Sequence, residues 1–245
     1  MLVWYNVEAS CPVCSHRLRL RELGGGVALG QDSDLLVRME GKHTIQVAIH
    51  SCTRCRFSGY SEDFGASMPR HQVQRFLTEV SPKLVAFPRS APGAANTAGS
   101  ATPDLQYYWA YKCALFLGRD DAELAQRLLR AYWCLRLPPS SDLTSADLEE
   151  RRKVYLGAVI QHLRQATRGK CSAVQFYLLG ELSRKYGEFP TAVGYFKRFL
   201  DVSSTDQEAA PKYLRLAAIK LLRAAERSDS RERTMEEIVY ADSPE

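Results

Sequence analysis

Two Cys-x-x-Cys pairs, Cys11-Pro12-Val13-Cys14 and Cys52-Thr53-Arg54-Cys55, constrain this chain more than any other feature. A two-residue spacing lets both sulfurs of a pair face one centre, and two pairs complete a tetrahedral set of soft ligands. The pairs therefore predict one metal site with Cys11, Cys14, Cys52 and Cys55 as ligands and Zn²⁺ in a structural role. Iron suits the same four thiolates and stays open. A four-thiolate shell leaves no open position of the kind a catalytic zinc uses, so the ion is expected to hold the fold rather than react. A redox dithiol would account for Cys11 and Cys14 alone, but no βαβ pattern surrounds them. His16 and His50, each two residues from a cysteine, read as polar residues at the edge of the site.

The remaining cysteines, Cys113, Cys134 and Cys171, are scattered through helical sequence and read as small buried hydrophobes. Seven cysteines in 245 residues do not make a secreted disulfide framework. Residues 1–6 lack a basic start and an apolar run, so no signal peptide is expected, and no segment is apolar enough for a membrane span. These readings point to the cytoplasm.

Strands are expected around the cysteines. Residues 2–7 are apolar, and Arg17-Leu18-Arg19-Leu20-Arg21 alternates as a half-buried strand does, ending at Gly24-Gly25-Gly26. Another strand is expected within 35–39. Residues 44–50 alternate again, with Ile45, Val47 and Ile49 on one face, and lead to Cys52. Each pair then follows a strand, as in a zinc ribbon, here spanning 1–68. Helical spacing of Val73, Phe76, Leu77 and Val80 marks a connecting helix within 69–87. The Pro-, Gly- and Ala-rich stretch 88–104 reads as a flexible linker and domain boundary.

Beyond the linker, 105–228 reads as helices near 105–117, 121–136, 145–167, 171–186, 190–202 and 207–227, followed by a charged tail at 229–245 that should fray. Within it Phe176, Leu179, Gly180, Gly187, Phe189, Ala192 and Phe196 resemble the tetratricopeptide pattern. In that pattern small residues let two helices approach and aromatics fill the space between them. Ser183, Phe199 and Ser204 depart from it. The fold class is thus α+β: a small N-terminal β zinc ribbon followed by an all-α tetratricopeptide-like domain of helical hairpins. The resemblance implies a concave groove lined by Val174, Tyr177, Glu181, Arg184 and Lys185, with the two cations placed to clamp an acidic peptide.

No phosphate-binding glycine loop, His-Glu-x-x-His or Gly-x-Ser-x-Gly occurs, and no catalytic residue is assigned. The net charge is +5, yet residues 1–64 carry seven Lys/Arg against seven Asp/Glu. A zinc ion with four thiolates adds a charge of about −2. Nucleic acid is therefore a poor partner for the ribbon, and the expected partner is a protein or peptide. Tyr107, Tyr108, Trp109 and Tyr111 lack an interleaved basic stripe and read as packing residues.

Cys11-Pro-Val-Cys14, Asp32-Ser33-Asp34, Cys52-Thr-Arg-Cys55-Arg-Phe57-Ser-Gly-Tyr60 with Asp63-Phe64, and Leu129-Arg130-Ala131-Tyr132-Trp133 together resemble an uncharacterised bacterial family. It is a domain of unknown function that joins a double Cys-x-x-Cys module to tetratricopeptide-like helices. Ser15 and Arg56 stand where glycine is common in that family. The resemblance implies the metal site and the helical architecture, and no reaction. The chain is expected to be a zinc-stabilised interaction or scaffold protein. A nucleic-acid or transcription-associated zinc-ribbon factor is the alternative and a cysteine redox enzyme the third reading.

Overall fold

Alternating side chains near the N-terminus produce a hairpin. β1 (Val3–Ser10) and β2 (Arg17–Gly24) pair antiparallel in unbroken register, with Val3 opposite Gly24 and Ser10 opposite Arg17. Arg17, Arg19 and Arg21 are exposed while Leu20 is buried, so the strand has one wet and one dry face. The computed structural model describes residues 3–41, 43–90, 101–137, 144–168, 172–203 and 210–240. Among them no helix is long and apolar enough to cross a membrane.

The strand expected at 44–50 is not formed. Thr44–Gln46 is a 3₁₀ turn, and only His50–Ser51 (β5) is extended, pairing with Ser58–Gly59 (β6). Burial explains the difference: His43, Gln46 and Ile49 face inward, a spacing of three that matches a 3₁₀ turn rather than a strand. The strand expected in 35–39 shortens to β4 (Val37–Met39), which pairs with β3 (Ala28–Gln31) through a bulge at Leu29.

After a short 3₁₀ turn at Ser61–Phe64, one helical run continues as α1 (Arg70–Arg75), a π turn (Phe76–Val80) and α2 (Ser81–Ser90). It is longer than the expected connecting helix. Of the expected linker, 91–100 lie outside the described residues, and helices occupy 88–90 and 103–104. The remaining helices are α3 (Pro103–Phe116), α4 (Asp121–Cys134), α5 (Ser145–Ala166), α6 (Ala173–Tyr186), α7 (Phe189–Val202), α8 (Lys212–Glu226) and α9 (Met235–Val239). The α+β layout is as expected.

The chain divides into two compact units, and not at the linker. The first comprises Met1–Gly26 and Gly41–Tyr155; the second comprises Val27–Glu40 and Leu156–Glu245. Two small ribbon hairpins bury too little apolar surface to stand alone. Leu105, Trp109 and Cys113 of α3 therefore share one core with Cys11, Cys52, Cys55, Phe57, Phe64 and Phe76. Tyr60 ties α4 to the same unit: Arg130 donates to its hydroxyl at 2.5 Å, and the Arg127 guanidinium lies 5.2 Å from its ring centre. Two of the stretches that carry the family resemblance thus touch.

In the second unit the α6–α7 pair behaves as its pattern predicts. Ser172 and Gln175 form a capping box at the start of α6, and Gly187 ends it at φ 91°, a left-handed conformation that favours glycine. A Cβ on Gly180 would lie 2.8 Å from Phe196, so the small residue is what lets the helices approach. Phe176, Tyr177, Phe196, Phe199, Leu214 and Leu221 fill the core. The tail expected to fray is instead folded as far as Tyr240. Thr234 caps α9, whose Met235 and Ile238 are buried. Residues 241–245, like Cys171, lie outside the described residues.

Candidate metal centre

Each cysteine pair sits in the same backbone turn. Ser15 donates its amide to the Cys11 carbonyl at 2.9 Å, and Cys11 donates to His16 at 2.9 Å. At the second pair Arg56 donates to Cys52 at 3.0 Å and Cys52 to Phe57 at 2.8 Å. Ser15 and Arg56 adopt φ of 56° and 62°. One hydrogen-bond pattern, used twice, thus points two sulfurs of each turn at a common centre.

The four sulfurs of Cys11, Cys14, Cys52 and Cys55 lie within 4.8 Å of one another. Cys11 and Cys55 are 3.5 Å apart at sulfur, as are Cys14 and Cys52. A tetrahedral ion with bonds of about 2.3 Å separates its sulfurs by about 3.8 Å, so the set can hold a metal ion with little adjustment. Three of the cysteines are buried, and Cys14 is partly exposed.

The four sulfurs share hydrogen bonds, so ionising one opposes ionising its neighbours. Hydrogen bonds with Cys11 and Cys55 pull the Cys52 thiol well below its ordinary range, whereas the hydrogen bond with Cys52 pushes the Cys11 thiol up to about 12. Cys55 is pushed far up, first by its hydrogen bonds to Cys11 and Cys52. Four thiols crowded at one point resist ionising together, and a cation is what relieves that repulsion.

Cys113 packs beside the cluster but faces elsewhere: it accepts the Ser58 amide at 3.3 Å, and burial pushes its thiol up to about 12. Such a thiol is inert, as expected for a packing residue. Cys134 is buried as well. His50 stacks edge-on against Phe64, with its pKa lowered by burial.

The groove residues of α6 are placed otherwise than in an open cleft. Val174 is exposed, whereas Tyr177, Glu181 and Arg184 are fully buried and Lys185 nearly so at its side chain. Their partners come from the same chain. Tyr177 donates to the Ser33 carbonyl at 2.9 Å, Ser33 donates its hydroxyl to Glu181 at 2.5 Å, and Lys185 reaches Asp34 at 2.9 Å. Arg184 grips Glu181 with two bonds of 2.8 Å and donates to the carbonyls of Asp229 and Arg231 at 2.6 and 2.9 Å. Burial opposes its charge, but the Glu181 carboxylate raises its pKa above the ordinary value.

The loop that fills this surface, Asp32-Ser33-Asp34, carried no assigned role in the sequence. Its only signal in the sequence is three consecutive polar residues; in the structure the next residue, Leu35, takes φ 70°, a strained position for a bulky side chain. The loop is buried throughout, with Asp32, Ser33 and Asp34 at 2% exposure or less. Arg38 holds Asp32 at 2.6 Å.

No curated protein and no solved structure matches the chain. A bacterial family does, over residues 4–219, which include all four clustered cysteines, the Asp32-Ser33-Asp34 loop and the helices through most of α8. The chain therefore belongs to the family described as "uncharacterized protein conserved in bacteria" (DUF2225).

Proposed function

We propose that the four thiolates hold one Zn²⁺ in a structural role, and that the protein acts as a non-enzymatic interaction scaffold. The observation that carries this reading is the closed set of four sulfurs, supplied by two matching turns with no histidine or carboxylate among them. Such a shell takes up all four positions of a tetrahedral ion and leaves nowhere for a substrate to bind. The ion would neutralise the crowded thiolates and tie β1–β2 to β5–β6.

The α6 surface supports the interaction half of the reading. It holds an acidic turn of its own chain through the Tyr177 hydroxyl, Lys185 and Glu181, the last fixed in place by Arg184. A partner peptide would reach Lys185 only after Asp34 had left it.

Elemental analysis of protein never exposed to chelator tests the metal, and one zinc per chain is the expected result. Cross-linking in a bacterial host, with wild type and Cys52→Ser compared, tests the scaffold. Partners held by wild type and lost from the variant support it; turnover of any substrate that survives metal exchange would overturn it.

A second reading, nucleic-acid binding, has one observation in its favour. Arg17, Arg19 and Arg21 are exposed on one face of the hairpin, and the Arg21 guanidinium lies 4.5 Å from the Trp4 ring centre. Arg19 is offset by Glu8 at 3.1 Å. A salt-dependent shift of labelled RNA or DNA, lost in an Arg17→Glu/Arg21→Glu variant, would favour this reading.

A further inference from the structure

A cavity of about 460 Å³ opens between the π turn with α2 and the second half of α3. That volume is in the range of small-molecule sites. Val80, Leu84, Tyr108, Leu115 and Phe116 give it an apolar lining. Two cations, Lys83 and Lys112, stand beside it. Lys112 lies 5.2 Å from the Tyr108 ring centre and 5.1 Å from that of Tyr111, which holds its ammonium over aromatic faces. The single carboxylate of the lining, Glu79, is engaged by Arg75 at 3.3 Å. Among the described residues no carboxylate forms an ion pair with Lys83 or Lys112.

A second observation is independent of the charge. The helical run from Arg70 to Ser90 is interrupted by the π turn at Phe76–Val80, and Glu79 and Val80 of that turn form part of the wall. A π turn is rare, costs hydrogen-bond geometry and collects at functional sites. Here it borders the cavity.

We propose that this cavity binds a small amphiphilic carboxylate: an apolar chain lying against Val80, Leu84, Leu115 and Phe116, and an anionic head held by Lys83 and Lys112. Charge complementarity selects the sign of the head, because both uncompensated side chains of the lining are cations. The dry wall selects an apolar body. A neutral or cationic amphiphile of the same length would leave the lysines without a counter-charge. The site lies wholly in the first unit and does not depend on the scaffold reading.

Isothermal titration of the metal-loaded full chain with dodecanoate tests the proposal. One molecule per chain is expected. Decanoate, two methylenes shorter, should bind roughly tenfold more weakly at about 0.8 kcal/mol per methylene. Dodecylammonium and dodecyl maltoside should bind at least tenfold more weakly than dodecanoate. Lys83→Glu and Leu115→Glu change exposed positions, and variants that keep the wild-type melting temperature should each lose tenfold or more in affinity. Equal binding of dodecylammonium, unchanged affinity in both variants, or no heat up to the solubility limit of dodecanoate would each overturn the assignment.

Discussion

Ser15 and Arg56 share one left-handed conformation, at φ 56° and 62°, each directly after the second cysteine of its pair. A Cβ in that region costs about 1–2 kcal/mol, and the chain bears it twice. Ser15→Gly should therefore stabilise the metal-loaded protein by about 0.5–1 kcal/mol, the added freedom of the unfolded chain offsetting the rest. Arg56→Gly should gain less, because it gives up the contact of its guanidinium with Trp109, 5.3 Å from the ring centre. Urea unfolding at fixed metal concentration measures both, and a lower midpoint for Ser15→Gly would contradict the shared geometry.

Metal content should distinguish ligands from neighbours. Serine at any of positions 11, 14, 52 or 55 should abolish stoichiometric metal, removing part of a binding free energy that is about 10–16 kcal/mol for a whole site of this kind. Cys113→Ser should keep one ion per chain, since that sulfur is occupied by the Ser58 amide. Metal lost from Cys113→Ser would make Cys113 a ligand and sink the four-sulfur assignment.

Arg184→Met takes from the buried Glu181 carboxylate its two-bonded partner, leaving it the Ser33 hydroxyl and the more distant Lys185 at 3.9 Å, and frees the carbonyls of Asp229 and Arg231. A cost of about 3–5 kcal/mol is expected. Arg184→Met combined with Glu181→Leu should cost clearly less than the sum of the two single changes, because no lone charge remains buried. Thermal and urea unfolding would report additive losses if the pair were not coupled.

Gly180→Ala places a methyl group 2.8 Å from Phe196. Overpacking of this kind costs about 1–3 kcal/mol. Phe196→Leu in the same chain should recover part of the loss, whereas Phe196→Leu alone should destabilise. Failure of the second change to relieve the first would place the strain elsewhere.

Acid should loosen the segment that leads into α9. Asp229 accepts from the Arg231 guanidinium at 2.9 and 3.0 Å, then from the Arg231 amide and from Arg233, and these hold its carboxyl well below the ordinary value. A depressed carboxyl contributes stability that is fully present above its unfolded pKa, about 3.9, and is lost as pH falls through the folded value. Asp229→Asn should lower stability at neutral pH and flatten the acid limb below pH ~4, as read from unfolding midpoints across that range.

The clustering of the four cysteines and the ends of α6 are legible in the sequence because short-range rules govern both. Cysteine spacing sets chelation, and the 3.6-residue period with Gly187 and Ser172 at its ends sets α6. Three features were not legible. Residues 44–50 alternate in hydrophobicity, but burial of the polar His43 and Gln46 imposes a period of three. The helices at 103–134 looked contiguous with those that follow, yet the ribbon's small core draws in Trp109 and Cys113. The α6 groove rests, in the sequence, on one face of one helix. What covers it lies far away in sequence, and only tertiary structure brings Asp34 to Lys185.

Ser33 and Glu181 are 148 residues apart in the chain. At roughly 5–20 residues per second, a ribosome delivers the second about 7–30 s after the first. The loop between the cysteine pairs must spend that interval with its acidic side chains in water, and the last of the four sulfurs on its flanks emerges early in it. A metal held by the cluster, as proposed, would be captured before the loop docks, and a chain made without it would bring its later helices to an untethered loop.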